Sequence, residues 1–295
     1  MMEQRNHSGL MYGLGAYLLW GSLPIYWKFL DHVSAFEILA NRFIWSAIFV
    51  IFLLYVLKKR SIFLQETKEL FSSWKSGLTM FIAALTICCN WGTYIWSVTS
   101  GRIVEASMGY YINPLVSILF GLIFLKERMD RLQQVAVGCA AVGIAIMIIQ
   151  NGSLPWVSVT LAVSFAFYGL LKKVIKVQAL TSILLETLFM TPVALGYLYY
   201  LSQHGGNSYQ NSDLYTQLLL IGAGVVTAVP LLLFTRSAQL LPLNILGFIQ
   251  YLSPTITLLL GVFVYGEAFD ATHLYAFSCI WLGLLFFTWS QIRAR

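Results

Sequence analysis

Long apolar runs separated by short polar links recur down the chain, with almost no alternation between hydrophobic and polar positions. Ten runs read as spans: 10–28, 36–57, 77–98, 103–125, 132–150, 154–172, 180–201, 215–235, 243–265 and 272–290. A transmembrane helix needs roughly 20 mostly apolar residues to cross about 30 Å of hydrocarbon. Continuous runs favour helices over a barrel, whose strands alternate, and a helix satisfies its own backbone groups in lipid. The pattern predicts an all-α integral membrane protein with ten transmembrane helices.

Two links are longer than the rest. In 58–76, Phe63, Leu64, Thr67, Leu70, Phe71 and Trp74 recur at helical spacing with Lys and Glu opposite, which predicts a short helix at the membrane surface. The link 202–214 is rich in Gly, Asn and Ser and reads as an exposed flexible loop.

The apolar pattern repeats itself. The stretch Glu105–Glu127, EASMGYYINPLVSILFGLIFLKE, is echoed at an offset of 140 by Gln250–Glu267, QYLSPTITLLLGVFVYGE. At that offset Tyr111 falls on Tyr251, Pro114 on Pro254, Gly121 on Gly261, Glu127 on Glu267, Cys139 on Cys279 and Gly143 on Gly283. Weaker echoes pair Trp20-Gly21 with Tyr168-Gly169 at 148 and Glu37 with Glu186 at 149. The chain reads as two copies, 1–150 and 151–295, of five spans each. Five is odd, so the second copy enters the membrane from the opposite side. Inverted repeats of this kind are expected of secondary transporters, whose site lies near the midplane between the halves.

Composition changes the picture only by excluding water as the main solvent. Charged residues make up 10% of the 295 and apolar residues 59%, against about 25% and 45–50% in soluble domains. The net charge of +6 forms no continuous stripe, so nucleic acid is not an expected partner. Its distribution is a topology signal. With the N-terminus cytoplasmic, that side receives fifteen Lys and Arg: 5, 58–60, 68, 75, 126, 128, 131, 172, 173, 176, 236, 293 and 295. The other side receives Lys28 and Arg102, and Arg42 lies inside the second span. Both termini of this multi-pass protein are therefore expected on the cytoplasmic side of the membrane. The start, MMEQRNHSGLMYG, reads as leading into a retained first helix. Cys88, Cys89, Cys139 and Cys279 lie in apolar runs without metal-ligand spacing.

Several stretches carry a family resemblance: AYLLWGSLPIYWK, EILANRFIWS, NWGTYIWSV, EASMGYYINPL, GSLPWVSVTLAVSFAFYGLLKK and LGFIQYLSPTITLLLGVFVYGE. The chain resembles the RarD-type permeases of the drug/metabolite transporter superfamily, built from two EamA-like five-helix repeats. The resemblance implies a permease in which spans one to four and six to nine surround a cavity, with spans five and ten peripheral. It does not name a substrate.

Ionisable residues inside a membrane are costly and become functional candidates by default. Glu37 begins the second span and Arg42 lies five residues deeper, about 140° around the helix, so Arg42 needs a partner elsewhere. Glu105 and Glu186 are the available carboxylates, and Arg42 either lines the cavity or joins a structural ion pair. Glu105 is also three residues from Arg102, a spacing at which a surface pair forms. Glu186 reads as a cavity residue. Trp20, Asn90, Trp91, Trp96, Tyr110, Asn113, Tyr168, Gln250 and Tyr251 can add hydrogen bonds and flat surface for a small organic ligand. Pro114 and Pro254 each free a carbonyl and are the symmetric hinge or kink candidates. Glu127 and Glu267 read as loop anchors or gates.

No enzyme is expected, because His7, His32, His204 and His273 lie near span ends and neither HExxH nor a P-loop occurs. No cofactor and no metal are implied. The reading is a permease that moves a small metabolite or drug by alternating access, coupled to protons. The alternative is a channel or a non-transporting membrane scaffold, although no repeated filter or charged ring is visible. The partners are a small-molecule substrate, protons and the lipid bilayer, with a homodimer left open.

Overall fold

The structure is a computed structural model that describes residues 2–99, 103–152, 156–264 and 271–293. The described residues are helical apart from turns and links, and no strand occurs among them. The elements are α1 (Met2–Lys28), α2 (Ala35–Val56), α3 (Arg60–Ser72), α4 (Trp74–Thr99), α5 (Ile103–Phe124) and α6 (Arg131–Asn151). They continue with α7 (Trp156–Val174), α8 (Ala179–Gln203), α9 (Ser208–Asn211), α10 (Leu214–Leu240), α11 (Leu243–Gln250), α12 (Leu252–Phe263) and α13 (Ala271–Arg293). Among the described residues, seven helices are long and apolar enough to cross a membrane by length and composition, and two shorter apolar stretches cover Met108–Phe124 and Leu274–Ser290.

Where local sequence predicts a boundary, its physical cause is visible. Asp130 starts α6 with a capping box: its carboxylate accepts the Gln133 N–H at 2.8 Å, and the Gln133 side chain accepts the Asp130 N–H at 3.2 Å. These contacts satisfy donors that the first helical turn leaves orphaned. Asp213 does the same for α10 by accepting the Thr216 N–H at 3.0 Å. The ninth expected span is divided into α11 and α12 at Tyr251. Pro254 has no N–H to offer the Gln250 carbonyl one turn back, so the ladder is interrupted there. Pro114 lies within an unbroken α5.

The link at 58–76 contains α3, a 13-residue helix. The second long link differs from the expected flexible loop. It contains the one-turn α9, and the Glu37 carboxylate accepts the Ser208 N–H at 2.6 Å.

α1 packs on α10 and α12, α7 on α4 and α5, and α2 on α8 and α10. α6 pairs with α13. In that last pair a Cβ on Gly143 would lie 2.5 Å from the Ala276 carbonyl oxygen, and one on Gly283 would lie 2.7 Å from that of Ala136. Both positions therefore require glycine for the helices to approach. The aromatic centre of the core is Trp20, Phe165, Tyr168 and Phe234, with the Tyr168 and Phe234 rings stacked at 5.9 Å.

Candidate functional site

A cavity of about 240 Å³ lies between α1, α2, α4, α5, α7 and the α11–α12 pair. α1 contributes Tyr17, Trp20, Pro24 and Trp27, which steps of three and four residues place on one face. Ala106, Tyr110 and Asn113 form the matching stripe on α5, and Gln250, Pro254 and Thr257 do so across α11 and α12. The volume suits a small organic molecule, below the roughly 300–1,000 Å³ of drug-sized sites.

The floor is polar and built between α5 and α11. Ser117 Oγ lies 3.2 Å from the Asn113 side-chain oxygen and within 3.3 Å of the Gln250 carboxamide. The side wall is fixed by Asn90, whose Nδ2 donates to the Leu161 carbonyl at 2.9 Å and to Ser164 Oγ at 2.8 Å. That carboxamide ties α4 to α7 and keeps its neighbour Trp91 against the cavity.

Arg42 is the cationic lining residue. Its Nε donates to Thr227 Oγ1 on α10 at 2.9 Å. Its guanidinium carbon sits 4.1 Å from the Trp91 ring centre and 5.1 Å from that of Trp27. Both distances suit cation–π attraction, which strengthens where water is excluded. Tyr94 and Tyr110 complete this end, with ring centres 5.6 Å apart.

Of the expected site residues, the structure brings Arg42, Asn90, Trp91, Tyr110, Asn113 and Gln250 to the cavity wall together with Pro254. It places others elsewhere. Glu37 is buried against the start of α9. Trp96 packs its ring 5.2 Å from that of Trp156. Tyr251 is buried beside Tyr111 and Phe277, between α5 and the α6–α13 pair. Pro114 is buried, and its carbonyl would lie 2.9 Å from a Cβ at Gly247, so the kink candidate faces a close helix approach. The Glu105 side chain, Arg102 and Glu267 lie outside the described residues.

Glu186 is not the partner of Arg42. It forms an ion pair with Lys172, and its carboxylate also accepts from Tyr168 Oη at 2.8 Å and Ser182 Oγ at 3.0 Å. Lys172 donates to Ser182 Oγ at 2.8 Å as well. Lys172 is fully buried, which corrects its assignment to the cytoplasmic loop charges. The helix reaches two more residues than the apolar run suggests, so Lys172 is drawn into the bundle while Lys173 points to the chain turn near Leu241.

Glu127 anchors the other end of α5. Its two carboxylate oxygens accept the N–H groups of Leu243 at 2.7 Å and Asn244 at 2.9 Å, which caps α11. Lys173 Nζ stands 4.0 Å away. Lys126 adopts φ 52°, which turns the chain, and a Cβ on Gly121 would lie 2.5 Å from the carboxylate. Eleven residues of α5 separate Asn113 from Phe124, roughly 16 Å of helix between cavity floor and clasp.

Tyr17, Trp27, Tyr94, Phe165 and Thr227 were not anticipated from sequence. For Tyr17 and Trp27 a signal existed in their spacing from Trp20 and Pro24. Thr227 carried none, because a threonine within an apolar span reads as helix filler.

Apolar helices of membrane-spanning length around a cavity of small-molecule size are features of a membrane transport protein. The EamA-like transporter family model matches residues 7–149 and 155–289. An uncharacterized transporter of Bacillus subtilis (strain 168), YojE, is 45% identical over 99% of this chain and 97% of its own. Protein RarD of Salmonella typhi is 41% identical over 100% and 99%. A solved crystal structure with 18% identity shares the fold at a TM-score of 0.71, covering 95% of this chain and 96% of that one. The chain belongs to the EamA-like transporter family, and its full-length likeness to RarD proteins makes it a RarD-type permease.

Proposed function

We propose that the chain is a secondary carrier that works by alternating access, with ten spans arranged as two inverted repeats, 1–150 and 151–295. The spans in this reading are α1, α2, α4 to α8, α10, the broken α11–α12 and α13, with α3 on the membrane surface. Reciprocal glycine contacts support the inversion: Gly143 meets Ala276 as Gly283 meets Ala136, and the paired positions differ by 140. The family match to each half agrees with it.

The observation that carries the transport reading is a cavity on one side of its polar floor, with the Glu127 clasp on α11 beyond that floor. We assign this to the state open away from the cytoplasm, with the termini and Glu127 on the cytoplasmic side of a bacterial inner membrane. The positive residues near Glu127 and the bacterial relatives support that orientation. The hinge is placed at Pro254 and Pro114. Tyr111 donates to the Pro254 carbonyl at 3.1 Å, whereas its repeat mate Tyr251 has a buried hydroxyl without a partner among the described residues. The opposite state would exchange these roles.

Coupling to protons is assigned to the intramembrane carboxylates, with Glu186 beside Lys172 as the first candidate. The test is solute counterflow by purified protein in liposomes, with and without an imposed pH gradient. Saturable exchange that accelerates with the gradient is expected, and Glu186→Gln should flatten its pH dependence. Unsaturable flux would favour a channel, and a rate indifferent to the gradient would remove the proton from the scheme.

A further inference from the structure

We infer that the cavity takes an organic carboxylate with a flat apolar body, bound through Arg42. This deepens the carrier reading and rests on it. Among the described residues, Arg42 has one hydrogen-bond partner, Thr227, and no ion-pair partner. A guanidinium has five donors in a planar fork. The Thr227 contact occupies one, and the guanidinium carbon lies over both indoles at the cavity wall, which leaves the terminal N–H groups for a ligand. Those groups are the ones that bind a carboxylate bidentately.

The charge balance around the site narrows the ligand class. No carboxylate lines the cavity among the described residues, and Arg42 is its sole Lys or Arg. One cation in a low-dielectric cavity is matched by one negative charge. A phosphate dianion would require a second cation, and an amine would meet like charge. The lining carboxamides are already engaged: Asn90 with α7, and Asn113 and Gln250 with Ser117. Tyr94 and Tyr110 stand beside Arg42 with hydroxyls able to donate to the same anion. Trp20, Leu23, Trp27, Trp91 and Phe165 add an apolar, largely aromatic surface, which suits a flat hydrocarbon portion.

The test compares three probes of similar shape on the purified full-length protein: phenylacetate, phenylacetamide and phenethylamine. Binding is read from intrinsic tryptophan fluorescence and exchange from counterflow in liposomes. Phenylacetate is expected to bind roughly ten- to hundredfold more tightly than the amide, the range for a charge-assisted hydrogen bond. Phenethylamine should bind least. Arg42→Gln should abolish the discrimination between acid and amide, and Arg42→Lys should retain part of it. If Arg42→Gln does not fold, the ranking in the unmodified protein decides. Equal binding of acid and amide, preference for the amine, or no binding of the acid would overturn the inference. Phenylacetate binding without counterflow would instead count against the carrier reading and leave the anion site standing. Amine exchange without acid binding would do the reverse.

Discussion

At the scale of single residues, Lys172 and Arg42 are cations within the helix bundle in contrasting surroundings. Lys172 is neutralised by Glu186, and every polar atom of the pair has a partner in Ser182 or Tyr168. Arg42 is held by aromatic faces and one hydroxyl. Removing one member of a buried pair leaves an uncompensated charge, which costs about 3–5 kcal/mol, whereas replacing both removes the desolvation penalty too. Lys172→Met and Glu186→Gln should therefore each lower thermal stability in detergent more than the double variant does relative to their sum. Additive losses would mean that the two side chains act independently. This pair was only half legible in the sequence. Glu186 stood out as a carboxylate inside an apolar run, but Lys172 sits beside Lys173 at the end of a run, where both look like loop charges. Only the fold shows that a further half-turn of α7 separates their fates.

At the scale of elements, helix ends carry much of the specific electrostatics. Asp130 caps α6 and also accepts a hydrogen bond from Ser290 on α13, so one carboxylate joins the two helices. The Ser290 hydroxyl, then the Gln133 N–H, hold its carboxyl below the usual range. A carboxyl with a lowered folded pKa contributes stability that is complete above its unfolded value and is lost as pH falls through the folded one. Asp130→Ala should lower the melting temperature at neutral pH by the equivalent of about 1 kcal/mol, a usual cap loss. The gap to the unmodified protein should close below roughly pH 4, where carboxylates protonate. A gap constant across that range would assign the effect to packing instead. The division of the ninth expected span was implicit in Pro254, yet its place at Tyr251 depends on which carbonyl loses its donor. The link to α9 looked flexible because composition counts Gly, Asn and Ser, while its order comes from Glu37, which is far away in sequence. Long-range caps of this kind leave no local signature.

At the scale of the whole molecule, membership of a transporter family, a cavity and a clasp at the far end of α5 are the observations on which the proposed transport cycle rests. The all-helical, membrane-type character was visible in the apolar runs, and the echo at an offset of 140 is the sequence ground for the proposed repeats. The cavity wall was visible only where residue chemistry was unusual, as at Arg42, Asn90 and Gln250. Its aromatic portion resembles the tryptophans and tyrosines of any membrane protein until helix packing sorts them. The central claim is that the cavity is reached from one side at a time and that Glu127 holds one side shut. It is tested most directly by placing a single reporter, Ser253→Cys, in the cavity of a variant without its native cysteines. Its alkylation by a membrane-impermeant thiol reagent is then measured in right-side-out and inside-out vesicles. The account predicts labelling from the outer face alone, with Glu127→Gln shifting labelling toward the cytoplasmic face. Equal labelling from both faces in the unmodified background, or no shift with Glu127→Gln, would contradict it.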